Sequence, residues 1–195
     1  MPLWLIIVIG YLLGSLPTAY IAGRVLKGKD IRRMGDENSG AANAYRELDA
    51  KAGILVGVID AGKGALAILI AQAGGVSQTI VMFTGIAAVV GHNWPVFIGF
   101  RGGRGESTSI GVLLALVTMP MLIMALPTLL VLYLKKSVVL ASAVLFIPLS
   151  LVGWWMGTSG PLIVYSIALP CLVGFTHFIR TRPKTTRRFE ISDTD

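Results

Sequence analysis

The chain has 195 residues, 54% of them hydrophobic and 14% charged, with a formal net charge of +7. A soluble domain carries about a quarter charged residues, so this composition excludes an ordinary soluble fold and leaves no room for a separate soluble domain. A nucleic-acid binder this basic spreads Lys and Arg over a wetted face with aromatics between them; here the charges cluster between long apolar runs, and no nucleic-acid partner is expected.

The apolar windows run over 3–22, 53–74, 79–97, 110–119, 121–134, 138–157 and 161–179, most of them close to the roughly 20 residues a bilayer demands. By length alone, the two short windows around Met119-Pro120 are either two helices or one kinked helix. Charge separates these readings. Arg24, Lys27, Lys29, Arg32, Arg33, Arg46 and Lys51 follow the first window, Arg101 and Arg104 the third, Lys135 and Lys136 the fifth, and Arg180, Arg182, Lys184, Arg187 and Arg188 the last. The gaps after the second, fourth and sixth windows hold none.

The positive-inside rule then puts the N-terminus outside, the C-terminus in the cytoplasm and a break at Met119-Pro120. The predicted fold is an all-α polytopic membrane bundle of seven transmembrane helices, one domain over residues 1–182 with a cytoplasmic tail over 183–195. The N-terminus lacks the basic n-region of a cleaved signal peptide, so the first window is expected to stay. Gly10 and Gly14, and Gly53 and Gly57, have the small-xxx-small spacing of closely packed helices. Cys171, the single cysteine, reads as a small packing residue; no disulfide or Cys-based metal site is expected.

Within this apolar frame the polar residues are informative. The stretch from Gly35 to Arg46 is rich in Gly and Asn, with Asn38, Gly40 and Asn43 ahead of Arg46; small residues admit an anion to backbone N–H groups, and Asn and Arg side chains donate to it. Lys63 lies three residues after Asp60 inside the second window, on one helical face. Charges in lipid are expensive, so the pair is expected to face the bundle interior, as a structural ion pair or as charge lent to a nearby anion site.

The second loop carries Gly91-His92 and then Arg101-Gly102-Gly103-Arg104-Gly105 at the entry to a helix. Two arginines among glycines there make a phosphate cradle through bidentate guanidinium contacts and the helix N-terminus, or else anchor lipid headgroups. Ser142, His177 and Arg180 form a third polar group; a lone His near a helix end is more often structural than catalytic, and His92 and His177 both stand at such ends. The derived topology places all three groups on the cytoplasmic side.

These residues resemble a known family, the bacterial acyl-phosphate:glycerol-3-phosphate acyltransferases, small membrane enzymes with seven spans. The resemblance covers nearly the whole chain, through Gly14-Ser-Leu-Pro17; Gly35, Asn38, Gly40, Asn43 and Arg46; Asp60, Lys63 and Gly64; Gly91-His92, Pro95, Phe97 and Phe100; Gly102-Gly103, Gly105 and Thr108; and Ser142 and His177. It implies transfer of a fatty acyl group from acyl phosphate to glycerol 3-phosphate, giving lysophosphatidic acid and phosphate. The implied setting is the bacterial cytoplasmic membrane, among membrane lipids, with the site facing the cytoplasm and no cofactor or metal.

An acyl phosphate is already activated, so binding and orientation carry the rate and no covalent intermediate is needed. No Ser/His/Asp triad is found. Loops and resemblance together assign catalytic roles to Arg46, Arg104 and His177. Substrate-binding roles go to Asp36, Asn38, Gly40, Asn43, Arg46, Lys63, His92, Arg101, Gly102, Gly103, Arg104, Gly105, Ser142 and Arg180.

The chain also departs from the family pattern. Asp36-Glu37-Asn38 stands where the family has Ser-Gly-Asn, Ala42 replaces a Thr, Arg101 and Arg104 replace two lysines, Glu106 and Ser107 replace small apolar residues, and Arg180 stands near the family's Asn. Three readings of the new carboxylates stay open: pairing with Arg101, Arg104 or Arg180; holding Mg²⁺ against a phosphate; or selecting another acceptor, such as one with an amine. A noncatalytic lipid-binding, anion-binding or transport protein on the same scaffold is the competing class, although no internal repeat of the transporter kind is seen.

Overall fold

The computed structural model describes residues 2–181; the basic tail expected over 183–195 lies outside the described residues. The described residues form ten α-helices: α1 (Leu3–Gly14), α2 (Thr18–Lys27), α3 (Ala41–Glu47), α4 (Ala50–Ala73), α5 (Gln78–Asn93), α6 (Glu106–Leu116), α7 (Thr118–Lys135), α8 (Val138–Phe146), α9 (Leu149–Trp155) and α10 (Gly160–Thr181). Among the described residues, six stretches are long and apolar enough to cross a membrane: Leu3–Lys27, Ala50–Ala73, Gln78–Ile98, Thr118–Lys135, Val138–Trp155 and Gly160–Thr181. The 11 residues of α6 rise only about 17 Å, short of the ~30 Å hydrocarbon core.

Three of the predicted windows are interrupted. The first stops at Gly14 and resumes at Thr18, because Pro17 has no N–H to continue the ladder and disfavours helical angles at Leu16. The window over 138–157 divides into α8 and α9 at Pro148. Between α6 and α7 the break falls at Val117, where φ −129° and ψ 56° leave the helical region, and so precedes the expected Met119-Pro120. Pro120 lies in the first turn of α7, where its missing N–H would have had no intrahelical acceptor.

Glycines set the packing. A Cβ on Gly14 would stand 1.9 Å from the Ala88 carbonyl oxygen, and one on Gly10 2.8 Å from that of Thr84, so α1 lies backbone to backbone on α5. The second predicted pair behaves differently: Gly53 accommodates Tyr45 of α3, and Gly57 meets nothing closer than 3.4 Å. The α4–α6 crossing instead rests on Gly64 and Gly111, where added Cβ atoms would meet the carbonyl oxygens of Thr108 and Ala61 at 2.3 and 1.8 Å.

The main apolar core gathers Ile6, Ile68, Val89, Val112, Leu113 and Leu169. A smaller core of Ala19, Ile31, Ala44, Leu48 and Val56 lies under the first polar loop and fixes it to α4. Large apolar side chains elsewhere on the spans are exposed, as lipid-facing positions require. Cys171 is among the exposed residues rather than in the packed interior.

Candidate active site

The first loop is shaped from within. Asp30 accepts from the backbone N–H of Arg32 at 3.0 Å and from its guanidinium at 2.7 Å, while Arg32 Nη1 donates to Ile98 O at 2.6 Å and ties this loop to the segment after α5. The Arg32 guanidinium holds the Asp30 carboxyl below the usual carboxylate range. Asn43, predicted to bind substrate, is fully buried. Its amide nitrogen lies within donating distance of Ile31 O, Met34 O and Asn38 O, and its oxygen accepts from the Asp36 N–H at 3.3 Å. Asn43 is therefore the loop's internal scaffold.

Asp36 sits between two residues with left-handed backbone, Gly35 (φ 55°) and Glu37 (φ 55°). That geometry turns its carboxylate towards both arginines. Asp36 Oδ2 is 2.9 Å from Arg46 Nη2 on α3 and 3.3 Å from Arg104 Nη2 in the second loop. Asn38 and Gly40 are buried, and Gly40 stands at the N-terminal end of α3. Asn38 Oδ1 and Arg104 Nε are buried and have no hydrogen-bond partner among the described residues.

The second loop folds back on the end of α5. The N–H of Gly102 donates to Asn93 O at 3.1 Å and that of Gly103 to His92 O at 3.0 Å. These two N–H groups, expected to meet an anion, are thus occupied by carbonyls left open at the helix end. A Cβ on Gly103 would stand 2.0 Å from His92 Nε2 and 2.9 Å from Ser39 O, which brings the two loops into contact. Gly105 has φ 85° and places α6 directly after Arg104.

Arg180 also belongs to this scaffold. Its Nη1 donates to the carbonyls of Gly102 and Gly103, its Nη2 to Asn93 O, and its guanidinium lies over the Trp94 ring at 5.8 Å. Arg101 is exposed and has no hydrogen bond or ion pair among the described residues.

Beneath the loops lies a closed cluster. Asp60 Oδ1 accepts from Thr18 Oγ1 at 2.9 Å and lies 2.8 Å from Lys63 Nζ and 3.7 Å from His92 Nδ1. Lys63 also donates to Leu16 O at 2.9 Å. Leu16 and Thr18 flank the interruption of the first span, so the pair satisfies backbone and side-chain groups that the break leaves open. Lys63 and His92 are placed here, 5% and 6% exposed, rather than beside Arg46.

Ser142 and His177 come together elsewhere, in a groove of about 450 Å³ between α8, α9 and α10 whose walls include Val139, Ala143, Phe146, Ile147, Ile167 and Val173. Glu106 joins them at its polar end, accepting a hydrogen bond from Ser142 Oγ. Arg104 stands two residues before Glu106, which opens α6 and lines the groove, so the arginine pair and the apolar groove adjoin. Sequence reasoning did not assign site roles to Glu106, Asn93 or the Asp30–Arg32 clamp. Asn93 and Arg32 had no distinguishing signal, whereas Glu106 was visible as a charge where small apolar residues were expected.

The model of the glycerol-3-phosphate acyltransferase family matches residues 4–189. Glycerol-3-phosphate acyltransferase 4 of Dehalococcoides mccartyi is 55% identical over 182 residues, covering 93% of this chain and 98% of that protein. The enzyme of a Synechococcus species is 36% identical over 173 residues, covering 89% and 86%. Among solved structures, PlsY, an integral membrane glycerol 3-phosphate acyltransferase, superposes in its glycerol 3-phosphate form with a TM-score of 0.82 at 34% identity, covering 91% of this chain and 88% of that one. Its lysophosphatidic acid form gives 0.76 at 33%, covering 90% and 87%. An all-helical membrane fold and a match over almost the full length lead to one assignment: this chain belongs to the glycerol-3-phosphate acyltransferase family.

Proposed function

We propose that the chain moves a fatty acyl group from an acyl phosphate to the primary hydroxyl of glycerol 3-phosphate, releasing phosphate and making lysophosphatidic acid. The observation that carries this reading is the junction between the Arg46/Arg104 pair and the apolar groove headed by Ser142, His177 and Glu106. One part suits a phosphate and the other an acyl chain, and Arg104 lies near both. Arg46 and Arg104 hold phosphate by charge-assisted hydrogen bonds, Arg101 adds an exposed positive charge at the entrance, and His177 orients the group at the groove mouth. Asn38, Gly40 and Gly105 border the arginine pocket, while Asn43, Lys63, His92, Gly102, Gly103 and Arg180 fix the backbone around it.

The acceptor hydroxyl oxygen attacks the acyl carbonyl carbon. A new C–O bond forms, the bond from that carbon to the phosphate oxygen breaks, and the hydroxyl proton leaves on the departing phosphate. Orientation at adjoining sites and fixed positive charge facing the developing negative charge supply the acceleration. Pairing of Asp36 with two guanidiniums supports the compensating-charge reading of the acidic substitutions over a Mg²⁺ site or an amine-binding role.

In the membrane, residues 1–182 form one unit with seven crossings, the N-terminus outside and residues 183–195 in the cytoplasm. The alternation of basic gaps supports this orientation and counts α6 as a short crossing. The site then opens to the cytoplasm of a bacterial cell. Purified protein given acyl phosphate should release inorganic phosphate in proportion to added glycerol 3-phosphate and leave a labelled lysophospholipid. Release that ignores every acceptor in a panel, or no release at all, rules the reading out.

A further inference from the structure

We propose that Asp36 is a displaceable internal counter-ion. It occupies the place between Arg46 and Arg104 that a phosphate ester takes on binding, and so sets the affinity of this pocket for phosphorylated acceptors and products. The inference rests on the reading that these two arginines hold phosphate.

The geometry of the pair separates it from an ion pair built to stay closed. Asp30 meets Arg32 with both carboxylate oxygens, which accept from the backbone N–H, Nε and Nη2. Asp36 reaches two guanidiniums through Oδ2 alone, one contact at 2.9 Å and the other stretched to 3.3 Å. Arg104 Nε is buried with no partner, so a guanidinium suited to a two-point contact has its fork half used. A phosphate presents three oxygens and close to two negative charges. It can engage both guanidiniums in bidentate fashion where the single carboxylate oxygen cannot.

The carboxylate is also placed to leave. The Arg46 and Asp36 side chains are 52% and 32% exposed, and exposed ion pairs are weak and readily exchanged. Asp36 stands on a loop held from beneath by Asn43, whose bonds to Ile31, Met34 and Asn38 do not involve the Asp36 carboxylate. Displacement therefore leaves the loop scaffold intact. A resident monoanion of this kind offsets the mutual repulsion of the two guanidiniums when no substrate is bound, and it opposes tight retention of phosphate-bearing product.

The test uses full-length protein in detergent, with inorganic phosphate alone as the binding probe and glycerol 3-phosphate as the kinetic one. Asp36→Asn should bind phosphate about three- to tenfold more tightly than wild type and lower the KM for glycerol 3-phosphate by a similar factor, with no increase in kcat. Asp36→Ser provides the same reading if the Asn variant unfolds. Unchanged or weaker phosphate binding in the folded variants overturns the proposal, as does a raised KM. Because phosphate binding needs no turnover, a tighter variant upholds the counter-ion even if no acyl transfer is found, and the acyltransferase reading then fails separately.

Discussion

Two charged regions lie one above the other at the same end of the bundle, and they are built on opposite plans. In the upper one, Asp36, Arg46 and Arg104 share a single carboxylate oxygen, and Arg46 is half exposed. In the lower one, Asp60, Lys63, Thr18 and His92 are close-packed, and Lys63 Nζ is engaged by both Asp60 and the Leu16 carbonyl. A charge surrounded by partners of its own chain holds backbone in place; a charge with unused donors and access to solvent is available to a ligand. The lower cluster secures the interrupted first span and supports the Gly-rich loop through His92, and the upper one rides on that support.

Arg46→Ala tests the contrast most severely. It removes a half-exposed guanidinium whose hydrogen bond is made to Asp36, so stability should change by less than about 0.5 kcal/mol. Activity should fall by about 10²- to 10³-fold, the usual cost of deleting one charge-stabilising donor. Thermal unfolding and acyl-transfer rates on the same preparation separate the two effects. Near-normal turnover would remove Arg46 from the site.

Lys63→Met makes the converse test. It leaves the Asp60 carboxylate buried without its nearest partner and the Leu16 carbonyl without its donor, which costs about 3–5 kcal/mol. The double variant Asp60→Leu with Lys63→Met removes the stranded charge and should recover a large part of that loss. Denaturation in detergent of the two variants decides the matter. A Lys63→Met protein of wild-type stability but without activity would transfer Lys63 to the substrate pocket and break the distinction between the two regions.

The sequence disclosed these regions unequally, for reasons of distance. That Asp60 and Lys63 share a helix face follows from their spacing of three, but the use of the ammonium depends on Leu16, 47 positions away, and nothing local announces it. Asn43 has the donors of a ligand-binding residue; its full burial against Ile31, Met34 and Asn38 depends on how the loop closes. Likewise Gly102 and Gly103 look open to an anion until the loop folds back and spends their N–H groups on α5. Long apolar runs were legible because a lipid environment leaves a helix few alternatives. The interruption at Val117 was displaced by two residues because hydropathy runs through it, and Pro120 is the sole local punctuation nearby.

The smallest effect concerns the clamp that steadies the upper region from its flank. Asp30→Asn should cost about 1.5–3 kcal/mol at neutral pH, the range for a hydrogen bond to a charged group. Arg32 lowers the Asp30 pKa in the folded chain, so the unfolded chain takes up the proton first as pH falls. The stabilisation is complete above the ordinary carboxylate range near pH ~4 and disappears as pH drops through the lower folded value. Unfolding of wild type and Asp30→Asn should therefore differ by a constant amount at neutral pH and converge in acid. Because the other carboxylates titrate in both proteins, the difference between the two curves isolates Asp30. A gap that persists or widens in acid would mean that Asp30 holds Arg32 by shape rather than by charge, leaving the open pair above it resting on packing alone.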